Sequence, residues 1–140
     1  ECYCYPNVVI RKLIDEWESN YAYVIIDNEA GMEHLSRRTT NNVDLLCIVT
    51  EPTSVGEITA RRILELSKQL PIAVKNIGVV WNRTDSDKKL DGMDILGHIP
   101  YDKAVLEASM QGKTVFDLGE DNPAFAAAGK IARQAVALIS

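Results

Sequence analysis

The stretch that decides the fold runs from Tyr23 to Arg38 and has the sequence YVIIDNEAGMEHLSRR. It opens with an apolar run, which ends on Asp27, and it then turns through the small residues Ala30 and Gly31. A short apolar run that is bounded by a turn is typical of a buried strand. Because ligands bind at the carboxyl ends of strands in an open parallel sheet, Asp27 is a candidate site residue. From Asp27 alone, a strand cap or a solvated carboxylate is an equally good interpretation.

Further apolar runs predict three more strands, at Val43–Thr50, Ile77–Trp81 and Ile95–Ile99. Between and around the strands, apolar residues at helical spacing and capping signals predict helices. The predicted helices are Pro6–Asn20, Glu33–Thr40, Ser54–Leu70 with Ser54 as the N-cap, Lys103–Met110, and a long helix from Pro123 to the C-terminus. Strands that alternate with helices and are apolar throughout indicate an α/β fold, with a parallel sheet flanked by helices.

Length and charge restrict the possible functions. The 140 residues fit one domain, which we place at 1–140, and the net charge is −5 from 15 basic and 20 acidic residues. This balance argues against a nucleic-acid-binding surface, which would carry a basic face. No apolar stretch reaches the roughly 18 residues of a membrane span, and no signal peptide is visible, so we expect a cytoplasmic protein without a membrane partner. The first residue is Glu1 rather than methionine, from which we expect a processed or truncated product.

Two of the three cysteines, Cys2 and Cys4, form a Cys-x-Cys pair near the start of the chain. Two thiolates can bind a soft or borderline metal ion, but they do not complete a tetrahedral site. A two-fold symmetric dimer would supply the other two ligands. Spacing alone leaves the alternative of two incidental thiols open. The third cysteine, Cys47, lies in an apolar run and is predicted to be a small buried side chain.

Asn82 and Arg83 directly follow a predicted strand, so the Asn82 amide is expected at the carboxyl edge of the sheet. An amide offers a donor and an acceptor, which can pair with the edge of a purine, although asparagine is also a common turn residue. The only two histidines, His34 and His98, do not suggest a nucleophilic triad, and His98 is expected to be a packed residue.

The Asp-x-x-Ala-Gly-x-Glu signature from Asp27 to Glu33 resembles the Walker B and switch II region of the MinD/ParA/NifH group of P-loop ATPases. The longer string from Asp27 to Arg37 looks most like the CooC-type ATPases, which mature carbon monoxide dehydrogenase by helping to insert nickel. This resemblance implies that Asp27 holds Mg²⁺ through water and that the Gly31 backbone N–H faces the γ-phosphate of ATP.

The same resemblance implies that Asn82 reads adenine, with Arg83 and Pro100 beside it in the base pocket. It also implies that Cys2 and Cys4 bind Ni²⁺ or Zn²⁺ at the interface of a homodimer, and that ATP-driven dimerisation couples to nickel delivery to carbon monoxide dehydrogenase. A partitioning or positioning ATPase of the ParA/MinD type is an alternative, as is a degenerate α/β domain that only binds a partner. The first alternative favours a basic C-terminal helix, whereas here Lys130 and Arg133 are the only basic residues after Pro123.

The sequence contains no Walker A motif, and therefore no lysine that could contact the β- and γ-phosphates in the usual way. Gly112-Lys113-Thr114 matches the last letters of that motif but follows a predicted helix rather than a strand. By resemblance, the chain corresponds to the C-terminal portion of a MinD-like domain without the Walker A strand and loop, so no catalytic residue is assigned. We expect the Val24–Asp27 strand either to pair with Leu45–Val49 or to leave an unpaired edge, through which the chain self-associates.

Because the Walker A lysine and the switch I aspartate have no counterpart here, the isolated chain is expected not to hydrolyse MgATP. A phosphate-release assay checks this, and sustained turnover by the purified chain would contradict it.

Overall fold

The structure is a computed structural model, and it describes residues 4–28, 42–70 and 72–140. The strands are β1 (Asn42–Thr50), β2 (Ala73–Asn82) and β3 (Asp94–Ile99), and the helices are α1 (Cys4–Asn20), α2 (Ser54–Gln69), α3 (Lys103–Met110) and α4 (Pro123–Ile139), with a 3-10 turn at Val115–Asp117. The strands predicted at 43–50, 77–81 and 95–99 are confirmed. The four predicted helices that fall within the described residues are confirmed as well. The predicted helix at 33–40 lies outside the described residues.

The three strands form one parallel sheet in the order β1-β2-β3, so β2 is the central strand. Its pairing with β1 runs from Asn42 opposite Ala73 to Thr50 opposite Trp81. Its pairing with β3 ends with Asn82 opposite Ile99. The predicted parallel α/β fold is confirmed, and the register brings the carboxyl ends of all three strands to one edge of the sheet.

The core lies between the sheet and α2 and is centred on Trp81, whose side chain is fully buried. It is formed by Ile48, Ala60, Val79, Trp81 and Leu90, with Ile63 and Ile95 among the partly buried residues around it. The Trp81 indole Nε1–H donates to the Lys88 carbonyl at 2.7 Å, which satisfies a polar group that would be costly to bury unpaired. Trp81 thereby fixes the end of β2 against the loop that leads to β3.

The N-cap of α2 is Thr53 and not the predicted Ser54. Thr53 has an extended backbone (φ −96°, ψ 160°), and its hydroxyl accepts a hydrogen bond from the Gly56 N–H at 3.0 Å. An N-cap needs a non-helical backbone, whereas Ser54 is already in the helix. A Cβ on Gly56 would lie 2.1 Å from the Glu51 carbonyl oxygen, so only glycine lets the helix start this close to β1.

The predicted strand at Val24–Asp27 is not a strand in the structure. Residues 23–28 have no regular secondary structure, and Ile25 is 92% exposed. A parallel strand needs a hydrogen-bonding neighbour, and every register partner of β1 lies in β2. Among the described residues the β1 side away from β2 remains an unpaired edge, and the apolar run does not pair with it.

The apolar side of α1 is only partly covered. Ile14 is buried to 5% exposure, but the other large apolar side chains described on this helix are exposed: Val8, Val9, Ile10, Leu13 and Trp17. On β1, Val49 is 58% exposed, and Cys47 is exposed rather than buried as predicted. Side chains alternate between the two faces of a strand, so Cys47 and Val49 share the face opposite to Ile48 and the core.

The two tryptophans offer a matched test of the core. Trp81→Phe leaves the Lys88 carbonyl without its indole donor, and we expect the free energy of unfolding to fall by about 1–3 kcal/mol. Trp17→Phe changes a side chain that is 47% exposed and is expected to cost about 0.5 kcal/mol or less. Urea unfolding of both variants measures the difference, and equal destabilisation would contradict the placement of Trp81.

Candidate functional site

The candidate site lies at the carboxyl edge of the sheet, where three segments leave their strands. Asn82 is the last residue of β2, and Arg83 follows it. Pro100 follows the last residue of β3, Ile99, which lies opposite Asn82. The Thr84 N–H donates to the Ile99 carbonyl at 3.0 Å, and this hydrogen bond connects the segment after β2 with the end of β3. The structure therefore brings Asn82, Arg83 and Pro100 together at this edge.

Arg83 has a left-handed backbone with φ 57°, and within the described ranges no other non-glycine residue has a positive φ. This conformation is unfavourable for a residue with a Cβ and is found where the surroundings enforce it. The Arg83 N–H donates to the Asn82 side-chain Oδ1 at 3.1 Å. The amide of Asn82 is thus held by the residue that follows it.

β1 also contributes a polar residue to this edge of the sheet. That residue is Glu51, which directly follows the strand. The Arg83 Nη1 lies 3.6 Å from the Glu51 Oε1, and both side chains are about half exposed or more. An exposed pair at this distance contributes at most about 1 kcal/mol. Glu51 is not among the site residues predicted from the sequence. The signal that could have found it is the one used for Asn82, a polar residue at the tip of a parallel strand.

Asp27, another predicted site residue, is not part of this cluster. Asp27 is exposed in the segment without regular structure, outside the sheet. Gly31 and Cys2 lie outside the described residues, and Cys4 is the first residue of α1. In the ranges 4–28, 42–70 and 72–140, no group of three or more His, Cys, Asp or Glu residues could hold a metal ion. The predicted Cys2/Cys4 metal site thus stays a prediction.

Gly112-Lys113-Thr114 follows α3 and leads into the 3-10 turn, as its position in the sequence predicts. The Thr114 backbone N–H and hydroxyl donate to the Asp117 Oδ2 at 2.7 and 3.0 Å. These two hydrogen bonds, the backbone one first, lower the pKa of Asp117 below its usual value. The threonine is therefore engaged in a local cap and not in a phosphate-binding loop.

The sequence has close counterparts among curated proteins, although no protein-family model matches it. An uncharacterised ATP-binding protein of Methanocaldococcus jannaschii is 36% identical over 143 residues, which cover 96% of this chain and 56% of the relative. The carbon monoxide dehydrogenase accessory protein CooC of Rhodospirillum rubrum is 35% identical over 125 residues, which cover 84% of this chain and 47% of CooC.

Solved structures agree with the topology. The MinD cell division protein of Aquifex aeolicus matches with a TM-score of 0.75 at 22% identity, over 94% of this chain and 61% of MinD. A ParA family ATPase from Chlorobium tepidum TLS matches with a TM-score of 0.72 at 26% identity, over 90% of this chain and 54% of the ATPase. The fold is that of the ParA and MinD ATPases. The predicted MinD-like fold is confirmed.

The chain spans about half the length of the curated relatives that it matches. Among the helices in the described ranges, none combines the length and the apolar character that a membrane crossing requires. The similarity to CooC agrees with the resemblance of the string from Asp27 to Arg37, and it extends far beyond that string along the chain.

The Asp117 cap predicts a pH-dependent contribution to stability. Because the folded-state pKa of Asp117 is lowered, this contribution is present above the unfolded-state pKa of about 4 and is lost as the pH falls through the folded-state value. We expect Asp117→Asn to be less stable than the wild type at pH 7, with a difference that shrinks below about pH 4. Denaturant unfolding from pH 2.5 to 7 measures it. Thr114→Val, which keeps only the backbone donor, should give a smaller difference of the same sign, whereas a pH-independent difference would contradict the assignment.

Proposed function

We propose that this chain forms the base-binding part of an ATP-binding P-loop ATPase domain and that the complete protein acts in the delivery of nickel. The observation that carries the nucleotide part is the meeting of Asn82, Arg83 and Pro100 at the carboxyl edge of a parallel sheet with the ParA/MinD fold. Ligands of open α/β sheets bind at that edge, because the loops there diverge and leave a crevice.

The chemistry of Asn82 suits a purine base. Its side chain offers N–H donors on Nδ2 and acceptor lone pairs on Oδ1, which matches an adenine edge where a ring nitrogen lies next to an amino group. Asn82 is half-buried and Pro100 is half-buried, so a base placed between the two exits would lose water from one side. The pocket role of Arg83 and Pro100 is part of the proposal.

In this proposal Asp27 and Gly31, rather than Asn82, Arg83 or Pro100, interact with the phosphate end of the nucleotide. Asp27 is a carboxylate of the type that binds Mg²⁺, which prefers oxygen ligands and keeps several of its waters. Its exposed position is compatible with a water-mediated contact. In the proposal, Asp27 orients the hydrated ion and the Gly31 N–H donates to the γ-phosphate. The ion itself supplies neutralisation of phosphate charge.

The nickel part rests on the likeness to CooC, whose name describes an accessory protein of carbon monoxide dehydrogenase. Cys2 and Cys4 precede or begin α1, and in a two-fold dimer they would contribute four thiolates to one ion. Four thiolates suit nickel and zinc alike, with different preferred geometries. In this proposal the homodimer holds the metal ion as cargo, ATP binding drives dimerisation, and carbon monoxide dehydrogenase is the client.

The base-binding role predicts that Asn82→Ala weakens adenosine binding. Loss of one or two hydrogen bonds to the base should raise the dissociation constant by roughly 2- to 150-fold, given about 0.5–1.5 kcal/mol for each. Titration of the ¹⁵N-labelled chain with adenosine, followed by NMR, measures such weak affinities. The matched control is Asn76→Ala on the same strand, whose amide donates to the Asp44 carbonyl at 3.0 Å near the opposite end of the sheet. Equal affinity of the Asn82 variant and the wild type would contradict the role.

The metal-delivery role predicts that the reduced chain binds one Ni²⁺ or Zn²⁺ per two chains and dimerises as it does so. Cys2→Ser/Cys4→Ser should abolish both effects, because a thiolate ligand is lost at each position. Metal titration with the molar mass followed by light scattering measures stoichiometry and assembly together.

The control for this titration is Cys47→Ser. Partial burial raises the pKa of the Cys47 thiol, which makes loss of its proton to a metal ion less favourable than for an ordinary cysteine. Cys47→Ser should therefore bind metal as the wild type does. If no ion binds to the wild-type chain, or if the double variant binds as well as the wild type, the proposed metal role of Cys2 and Cys4 is wrong.

A further inference from the structure

In the described part of the chain, β3 is an edge strand of the sheet and pairs on one side only, with β2. An edge strand carries backbone N–H and C=O groups that point away from its neighbour and can pair with another chain. No backbone hydrogen bond from a described residue outside the sheet reaches residues 95–98. The outer side of β3 can therefore accept hydrogen bonds from a further strand and donate to it.

This outer side of β3 lies at the bottom of a cleft of about 510 Å³. The floor of the cleft is formed by the four consecutive residues 95–98 of the strand. One wall is α4 between Ala127 and Gln134, and the other is the loop from β2 to β3, which contributes Ser86 and Lys89. The cleft thus follows the edge of the strand rather than one face of the sheet.

The two walls lie on opposite faces of the sheet. A Cβ on Gly97 would lie 2.8 Å from the Ile131 Cγ1, so α4 packs closely over one face of β3 and glycine permits this approach. On the other face, Ile95 packs against the core, in which Leu90 of the loop is buried. A strand edge with a layer on each face has the surroundings of a strand inside a layered sheet.

The dimensions of the cleft fit one short strand. At about 3.3 Å per residue, residues 95–98 span about 10 Å, and α4 covers a similar length from Ala127 to Gln134 at about 1.5 Å per residue. The volume of about 510 Å³ then corresponds to a cross-section of about 50 Å². One strand in a layered sheet occupies about 48 Å², from spacings of about 4.8 and 10 Å. The register with β2 skips Leu96, and such a bulge interrupts an edge, so the occupant is short.

The walls also indicate which side chains the occupant carries. Lys89 on the loop and Lys130 on α4 form no ion pair with another described residue, whereas Asp87 lies 3.4 Å from the His98 Nδ1. The α4 wall is apolar at Ile131, next to the strand. Side chains of a strand alternate between its two faces. Acidic side chains on one face of the occupant would meet Lys89, and apolar side chains on the other face would meet Ile131.

We propose that the cleft along β3 is a docking site for an extended segment of a partner protein, in which apolar and acidic residues alternate and which adds to the sheet as a further strand. Backbone hydrogen bonds give such a complex its affinity, and the alternate side chains give it specificity. A second copy of the chain fits less well, because a two-fold axis at this edge would bring Lys130 of both α4 helices towards each other. The proposal does not rest on the base-binding role of Asn82.

The test uses the blocked peptide acetyl-Gly-Val-Glu-Val-Glu-Val-Gly-amide, which is titrated into the ¹⁵N-labelled chain and followed by NMR. Two further peptides carry N-methyl groups, either on the valines or on the glutamates. The N–H groups of alternate strand residues point to opposite sides, so only one of these sets can donate to β3. We expect shift changes at residues 95–98, and one methylated peptide should bind roughly 10-fold more weakly than the other.

The charge is tested on the protein. Lys89→Gln should weaken binding of the unmethylated peptide by roughly 1.5- to 5-fold, as expected for an exposed ion pair. The matched control is Lys103→Gln on α3, outside the cleft, which should bind as the wild type does. Equal affinity of the Lys89 variant and the wild type would overturn the proposed acidic character of the partner.

Other outcomes would overturn the docking site itself. These are equal weakening by the two methylations, binding of succinate as tight as that of the peptide, and no binding of the peptide to the wild type at millimolar concentration. Light scattering of the chain alone covers the remaining occupant. A molar mass that rises with chain concentration, together with shift changes at residues 95–98, would assign this edge to a second copy and overturn the proposal.

Discussion

The described part of the molecule depends on β2 being hydrogen-bonded along both of its sides. β1 pairs with one side of the strand and β3 with the other, and Trp81 near its end is fully buried and donates to the Lys88 carbonyl. The next residue in the chain is Asn82. Because Trp81 is buried in the core and directly precedes Asn82, the core holds the Asn82 amide at a defined position. A flexible loop would not hold it in this way.

Much of this arrangement could be predicted from the sequence. Near-continuous apolar runs make β1, β2 and β3 recognisable in the sequence, and their alternation with helices indicates a parallel sheet. Parallel strands end at one edge, so Asn82 and Pro100 could be placed together without coordinates. The left-handed backbone of Arg83 could not, because nothing in an arginine indicates a positive φ and tertiary anchors impose it.

The errors share a physical cause. An apolar run indicates what a segment is able to bury, but it does not say which surface is available to receive it. Val24–Asp27 has the composition of a buried strand but pairs with no strand among the described residues, and Cys47 lies on the less covered face of β1. The Thr53 cap was missed by one residue, because neighbouring Thr and Ser have the same capping chemistry and only the backbone distinguishes them.

The register of the sheet also favours one order of strand pairing during folding. Pairing of β2 with β3 joins Gly78 to Asp94, 16 positions apart, whereas pairing of β1 with β2 joins Asn42 to Ala73, 31 positions apart with all of α2 between them. The entropy lost on loop closure grows with the logarithm of loop length, so the β2–β3 pair carries the smaller cost of nucleation. We therefore expect β2 to pair with β3 before β1 joins the sheet.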